Sequence, residues 1–203
     1  MKRWLKWIAN AVALVVVSPV GLLCWLEKQT KPEHEAVFQF WTHVLAGAPG
    51  VPGMYLRRAF YHLTLDVCSL RSYIGFGAVF SHRRVEVGDE AYVGLYAIIG
   101  SSKIGEGCLI GSRASILSGS TLHELDERGR WDAFCWSRLK QVEIGAHAWI
   151  GEAAVVMADV GSGTIVTSGA VVSTPVPERV MVGGNPARFV RSIAPPGPQA
   201  VQA

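Results

Sequence analysis

Two rhythms of apolar and polar positions divide the chain. From Ile8 to Leu26 nearly every residue is apolar, interrupted only by Asn10 and the pair Ser18-Pro19, with Lys2, Arg3 and Lys6 before the run and Lys28 and Lys31 after it. As a straight helix rising about 1.5 Å per residue, this stretch would just cross a ~30 Å hydrocarbon core. Proline lacks an amide hydrogen and clashes with the preceding turn, so the pattern predicts a bend at Ser18-Pro19. Residues 1–31 are therefore expected to form a membrane-associating, re-entrant helix with both basic ends at one lipid surface, with a straight span as the competing reading. No small-x-small cleavage site follows, which argues against a signal peptide.

Residues 32–70 predict a helical linker or cap. Ala36-Val37-Phe38, Phe40-Trp41 and Val44-Leu45 suggest a short amphipathic helix, and residues 47–53 are a turn-rich break. A second helix over 55–65 separates Arg57-Arg58 from its apolar face, so these arginines are expected to face lipid phosphates or to be solvated on a helix that caps the next domain.

The second rhythm has a period of six: aliphatic, Gly, two variable residues, small, apolar. It appears in units such as Ile74-Gly-Phe-Gly-Ala-Val79, Val93-Gly-Leu-Tyr-Ala-Ile98, Ile110-Gly-Ser-Arg-Ala-Ser115 and Ile150-Gly-Glu-Ala-Ala-Val155, with phase slips at Val87, Ile104 and Val160. A helix would scatter this period around its surface, whereas a short strand and a tight corner put every aliphatic on one inner line. The period therefore predicts a stacked parallel β-solenoid over residues 71–193. Residues 122–143 carry no trace of it and are expected to leave the coil as a loop, the kind of element that carries function on a rigid scaffold. The Pro-rich tail, 194–203, is expected to be disordered.

Composition narrows the options. With 50% hydrophobic and 17% charged residues, the 203-residue chain is a folded protein, and a net charge of +3 does not point to nucleic acid. Four cysteines without a CxxC spacing argue against a disulfide framework or zinc knuckle, and no His-x4-His pair suggests a metal site.

The hexapeptide units and the ending Gly183-Gly-Asn-Pro-Ala-Arg188 resemble the hexapeptide-repeat acyltransferases. That resemblance implies a left-handed parallel β-helix, a homotrimer, and acetyl-CoA as co-substrate with no metal. Leu56-Arg-Arg-Ala-Phe-Tyr61 and Phe76-Gly-Ala-Val-Phe-Ser-His82 are similar to membrane-associated members that O-acetylate bacterial surface polysaccharides. His123-Glu-Leu-Asp126 is similar to the family's His-Pro-Leu-Asp segment, with Glu124 in place of proline, and implies His123 as general base. An imidazole suits proton abstraction near neutral pH, and Asp126 or Glu124 would hold its tautomer. His82 and His147, near coil corners, are expected to be solvated or to lie at a subunit interface.

Trp149, Gly151, Ala153, Ser168 and Gly169 match the family's coenzyme groove, and Arg188 and Arg191 match its phosphate contacts. Ser173-Thr174 departs from the family's Thr-Lys, and Gly94 replaces an acceptor-contacting Asn of the galactoside and maltose enzymes. The expected activity is transfer of acetyl from acetyl-CoA to a sugar hydroxyl of a surface glycan or its lipid-linked precursor. Membrane lipid would be contacted through residues 1–31, at the cytoplasmic face of the inner membrane where acetyl-CoA resides. A small-molecule acetyltransferase and a noncatalytic membrane-bound scaffold are the alternatives.

Overall fold

A computed structural model of the protein describes residues 3–119, 125, 127–131 and 136–194. Three helices, α1 (Arg3–Thr30), α2 (Ala36–Ala46) and α3 (Gly50–Thr64), precede a parallel β-solenoid of about six coils. Three sheets line it. Sheet A holds β1 (Val67–Cys68), β4 (Val85–Val87), β7 (Ser102–Ile104) and β10 (Val142–Ile144), and is continued by bridges from Ile144 to Val160 and from Val160 to Val176. Sheet B holds β2 (Tyr73–Ile74), β5 (Tyr92–Val93), β8 (Leu109–Ile110), β11 (Trp149–Ile150), β13 (Ile165–Val166) and β15 (Val180–Gly183), with β16 (Arg188–Ser192) added antiparallel. Sheet C holds β3 (Val79–Phe80), β6 (Ile98–Ile99), β9 (Ser115–Ile116), β12 (Val155–Val156) and β14 (Val171–Val172).

The six-residue period is the reason for this architecture. Ile74, Val87, Val93, Ile104, Ile110, Ile144, Ile150, Val160 and Val166 are all buried in one continuous core, each stacked on its counterpart in the next coil. Three residues after such an aliphatic the backbone turns through the left-handed region, at Tyr96, Arg113, His147 and Ala153 among others (φ between 55° and 58°), and this forms the corner. The glycine one residue after the aliphatic is needed for a different reason. A Cβ at Gly151 would stand 2.4 Å from Ser168 N in the coil above.

Every departure from the period falls at one edge, where sheet C hands over to sheet A. Inside each coil the buried aliphatics are six residues apart. Across this edge the interval is seven from Phe80 to Val87, five from Ile99 to Ile104, twenty-eight from Ile116 to Ile144 and four from Val156 to Val160. The expected slips and the expected loop are thus one phenomenon. The solenoid also begins before residue 71, since Asp66 N donates to Arg83 O and Ser69 N to Val87 O.

The helices form two layers on the N-terminal end of the solenoid. α2 and α3 pack on coil 1, with Phe38, Phe60, Tyr61 and Phe80 in mutual ring contact, and α1 packs on α3 as the outermost layer. α1 is one helix through Pro19. The Ser18 hydroxyl donates to Val15 O at 2.9 Å, which supplies a hydrogen to the carbonyl that a proline four residues later leaves without one.

The arginines of α3 also depart from expectation, for both are buried rather than facing phosphate or water. Arg57 donates to the carbonyls of Ile74, Leu45 and Ala48, and Arg58 to Ser72 O and Asn10 Oδ1. Burial holds both guanidinium pKa values below their ordinary range. They bind the helical layers to coil 1 by satisfying carbonyls at the ends of elements.

Candidate active site

The long interruption leaves from the C-to-A edge between β9 and β10. Its neck is closed where Lys140 N donates to Ser118 O at 3.1 Å, and the ladder is intact on either side of it. Within the loop Leu125 bridges Trp131 antiparallel, around Gly129 at φ 72°. The return limb forms a 3-10 turn, Trp136–Arg138. His123, Glu124 and Asp126, the residues expected to carry the chemistry, lie outside the described residues, as does the tail from 195 onward.

The return limb packs towards the helical cap along the same edge. There Glu35, just ahead of α2, bridges two residues of the seven-residue interval. It accepts from His82 Nδ1 at 2.9 Å and from Arg83 N at 2.8 Å. Trp136 meets the His82 ring edge-on, with centroids 5.4 Å apart, and Arg84 Nη1 reaches Leu139 O at 3.5 Å. Glu35, Arg84, Trp136 and Leu139, together with Lys28 and Asp66, line a shallow cleft of about 240 Å³ beside His82. A carboxylate that only accepts fixes the Nδ1–H tautomer of His82 and directs the other nitrogen away from Glu35.

Glu27, at the end of α1, forms the floor of this region. Its carboxylate pairs with the Arg83 guanidinium and accepts from Val37 N (2.8 Å) and Phe38 N (3.3 Å). α2 has no side-chain cap of its own, so a residue of another helix takes that role.

A second group of expected residues occupies the B-to-C edge. Gly151 and Ala153 form the corner of coil 4, and Ser168 and Gly169 the corner of coil 5. Ala153 N donates to Ser112 O and Gly169 N to Glu152 O, which locks successive corners into a column. Trp149 projects from β11 on the adjoining face of sheet B and is half-exposed. Arg188 lies opposite Gly183 at the same end of the terminal hairpin, whereas Arg191 lies opposite Met181, farther towards the other edge.

No family model matches the chain. Solved structures do match its fold. A maltose O-acetyltransferase from Clostridium difficile 630 aligns over 79% of this chain and 87% of its own, at 16% identity and a TM-score of 0.68. A hexapeptide-repeat-containing acetyltransferase from Vibrio cholerae aligns over 78% and 90%, at 22% identity and 0.59. Its complex with acetyl coenzyme A, from the O1 biovar eltor, aligns over 84% and 98%, at 24% identity and 0.56. The fold is that of the hexapeptide-repeat acetyltransferases.

Against the hexapeptide-repeat acetyltransferase pattern, the structure brings Gly151, Ala153, Ser168 and Gly169 into one column, with Trp149 beside it and Arg188 above it. The neck of the loop, at Ser118 and Lys140, stands at the other edge of sheet C from that column. The cleft residues Glu35, Arg84 and Trp136, with the adjacent His82, were not anticipated as a group, and His82 is largely buried rather than solvated. The seven-residue interval after Phe80 was the one signal in the sequence for a special corner there. His147 is an exposed corner residue, as expected. Among the described residues no group of three or more His, Cys, Asp or Glu is placed to hold a metal ion.

Proposed function

We propose that the protein is an O-acetyltransferase that moves acetyl from acetyl-CoA to a sugar hydroxyl. The observation that carries this reading is the acetyltransferase solenoid, whose hexapeptide period is interrupted between β9 and β10 by a sequence with His123 in a His-x-x-Asp context. His123 takes the hydroxyl proton as the sugar oxygen attacks the thioester carbonyl. The tetrahedral adduct expels the CoA thiolate, and the imidazolium returns the proton to sulfur, giving CoA and the acetyl ester. Glu124 or Asp126 orients the ring. Gly151, Ala153, Ser168 and Gly169 leave main-chain groups open to the coenzyme, Trp149 offers it an indole face, and Arg188 and Arg191 its phosphate contacts.

Because the neck of the loop and this column stand at different edges, the complete site forms between copies, and a cyclic homotrimer closes that arrangement. The acceptor is a surface glycan or its lipid-linked precursor, met at the cytoplasmic face of the inner membrane. An acetyltransferase for soluble small molecules would leave the apolar exposed side of α1 without a role.

The test is a mass shift of one acetyl group on purified lipid-linked glycan incubated with the protein and acetyl-CoA in mild detergent. Under these conditions His123→Ala is expected to lower the rate by roughly 10²- to 10⁴-fold while the particle keeps trimer size. Near-normal turnover in His123→Ala would remove it as base, and an active monomer would remove the shared site. Absence of any acetyl-CoA affinity would favour a noncatalytic scaffold.

A further inference from the structure

We infer that α1 lies flat in one leaflet of an anionic bilayer, so that the solenoid stands upright on it with its C-terminal coils pointing away from the membrane. The inference rests on the membrane-associated reading above and replaces both the bent and the spanning helix with a third geometry.

α1 is fixed to the domain at both ends and between them. Near its start Asn10 accepts from Arg58 on α3. Near its end Glu27 pairs with Arg83, and Lys28 with Asp66 at 3.4 Å. Between these points Ala13, Val17 and Cys24 are buried, and Gly21 meets Leu63 so closely that a Cβ would stand 2.9 Å from its Cδ1. Positions 10, 13, 17, 21, 24 and 27 form one stripe at a spacing of three to four residues. A helix held along this stripe cannot cross a bilayer alone. It would carry α3 and the exposed Arg71–Asp89 and Arg71–Glu90 ion pairs of the first coils into hydrocarbon.

The rest of the circumference is apolar as well. Val12, Val15, Val16, Leu22, Leu23 and Leu26 are exposed, Val15 by 73%, and no charged residue occurs from Trp7 to Leu26. Such a face exceeds the apolar patches of ordinary soluble monomers. The occupant is lipid rather than a second copy, because mean hydropathy reaches 2.1, a membrane-crossing value, and cations stand only at the ends, with Lys6 before the run and Lys28 and Lys31 after it. Trp4, Trp7 and Trp25 flank the same face as interfacial aromatics. A helix of about 42 Å lying in the plane keeps both cationic ends at headgroup level without any bend. Lys28 also lines the cleft beside His82 and Trp136, so that cleft opens at the membrane surface, where the head of a lipid-linked acceptor would present its first sugars.

The test uses full-length protein with Cys135→Ser, since Cys24, Cys68 and Cys108 are buried, bound to phosphatidylglycerol-containing vesicles. Bimane at Val16→Cys is expected to be quenched by bromines at shallow acyl positions more than by bromines at deep ones. Lys6→Cys and Gln29→Cys are both expected to react with an impermeant maleimide from the side that bears the solenoid. Reaction of these two sites from opposite sides would overturn the inference in favour of a span. A Val16 probe shielded by raised protein concentration but not by lipid would overturn it in favour of a second copy. Val15→Asp/Val16→Asp, which leaves the packed stripe untouched, is expected to lower vesicle flotation at least tenfold while circular dichroism is unchanged, and unaltered flotation would also overturn it. Flotation needs no acceptor or acetyl-CoA, so its failure is separable from failure of the proposed activity.

Discussion

Glu27→Ala tests how the helical cap is held to the solenoid. The carboxylate is 10% exposed and its partner Arg83 5% exposed, so the pair is desolvated. Its removal leaves the guanidinium with His34 O at 3.2 Å and the Phe38 ring at 5.6 Å but no counter-charge. Breaking a buried pair from one side costs about 3–5 kcal/mol. The amides of Val37 and Phe38 also lose their acceptor, a capping loss of about 1 kcal/mol that partly overlaps the first cost. A net of about 4 kcal/mol corresponds to roughly a thousandfold increase in local opening, at ten-fold per 1.4 kcal/mol.

Hydrogen exchange in mild detergent reads this directly. Amides of α2 should exchange about three orders of magnitude faster in the variant, while those of β12 to β14 should not change, because each coil is stabilised chiefly by its neighbours. Glu27→Leu/Arg83→Leu should recover part of the loss, since an apolar pair leaves no orphan charge. An effect below tenfold in α2, or an equal effect along the whole chain, would refute the reasoning.

Gly151→Ala is expected to cost about 1–3 kcal/mol, because its Cβ meets backbone of the next coil, and to weaken acetyl-CoA binding. Gly169→Ala meets nothing within 4 Å and pays only left-handed backbone strain, about 1 kcal/mol at φ 70°; equal shifts in melting temperature would contradict that distinction. Burial pushes the Cys68 thiol up to about 11 from 9, and pushes Cys108 up as well. The folded state therefore keeps these protons after the unfolded chain has lost them. The contribution of Cys68 to stability is present below pH 9 and is lost as pH rises towards 11. Denaturation midpoints of Cys68→Ala should fall less steeply over that window than those of the parent, and a parallel fall would exclude the thiol as a cause.

The solenoid was legible because its cause is local. A six-residue period puts the aliphatics from Ile74 to Val166 inside whatever the rest of the chain does, and the interruption between β9 and β10 showed itself as absence of the period. Arg57 and Arg58 were misread because what buries them is the position of carbonyls at Ile74, Leu45, Ala48 and Ser72, which no local pattern displays. At Pro19 the partner of the freed carbonyl is local, the preceding Ser18 hydroxyl, and so lies within reach of a sequence reading. His82 looked like any corner residue because its partner, Glu35, is 47 positions away and meets it only once α2 has docked. Lys28 and Trp136 reach the same cleft from still more distant parts of the chain.

The confinement of every irregular interval to one edge has a consequence for how this architecture can be altered. At the other two edges each corner rests on the backbone of the next, and one added residue would turn the following aliphatic from the core to the solvent side. At the C-to-A edge the chain already accommodates intervals from four to twenty-eight residues with the ladder intact on both sides. Grafted segments, epitope tags or circularly permuted termini belong there, for instance at the exposed residues 173–175 between Val172 and Val176. Lengthening this edge at successive coils would build a wall of independent loops on an unchanged core, so loop repertoire and scaffold stability can be varied separately.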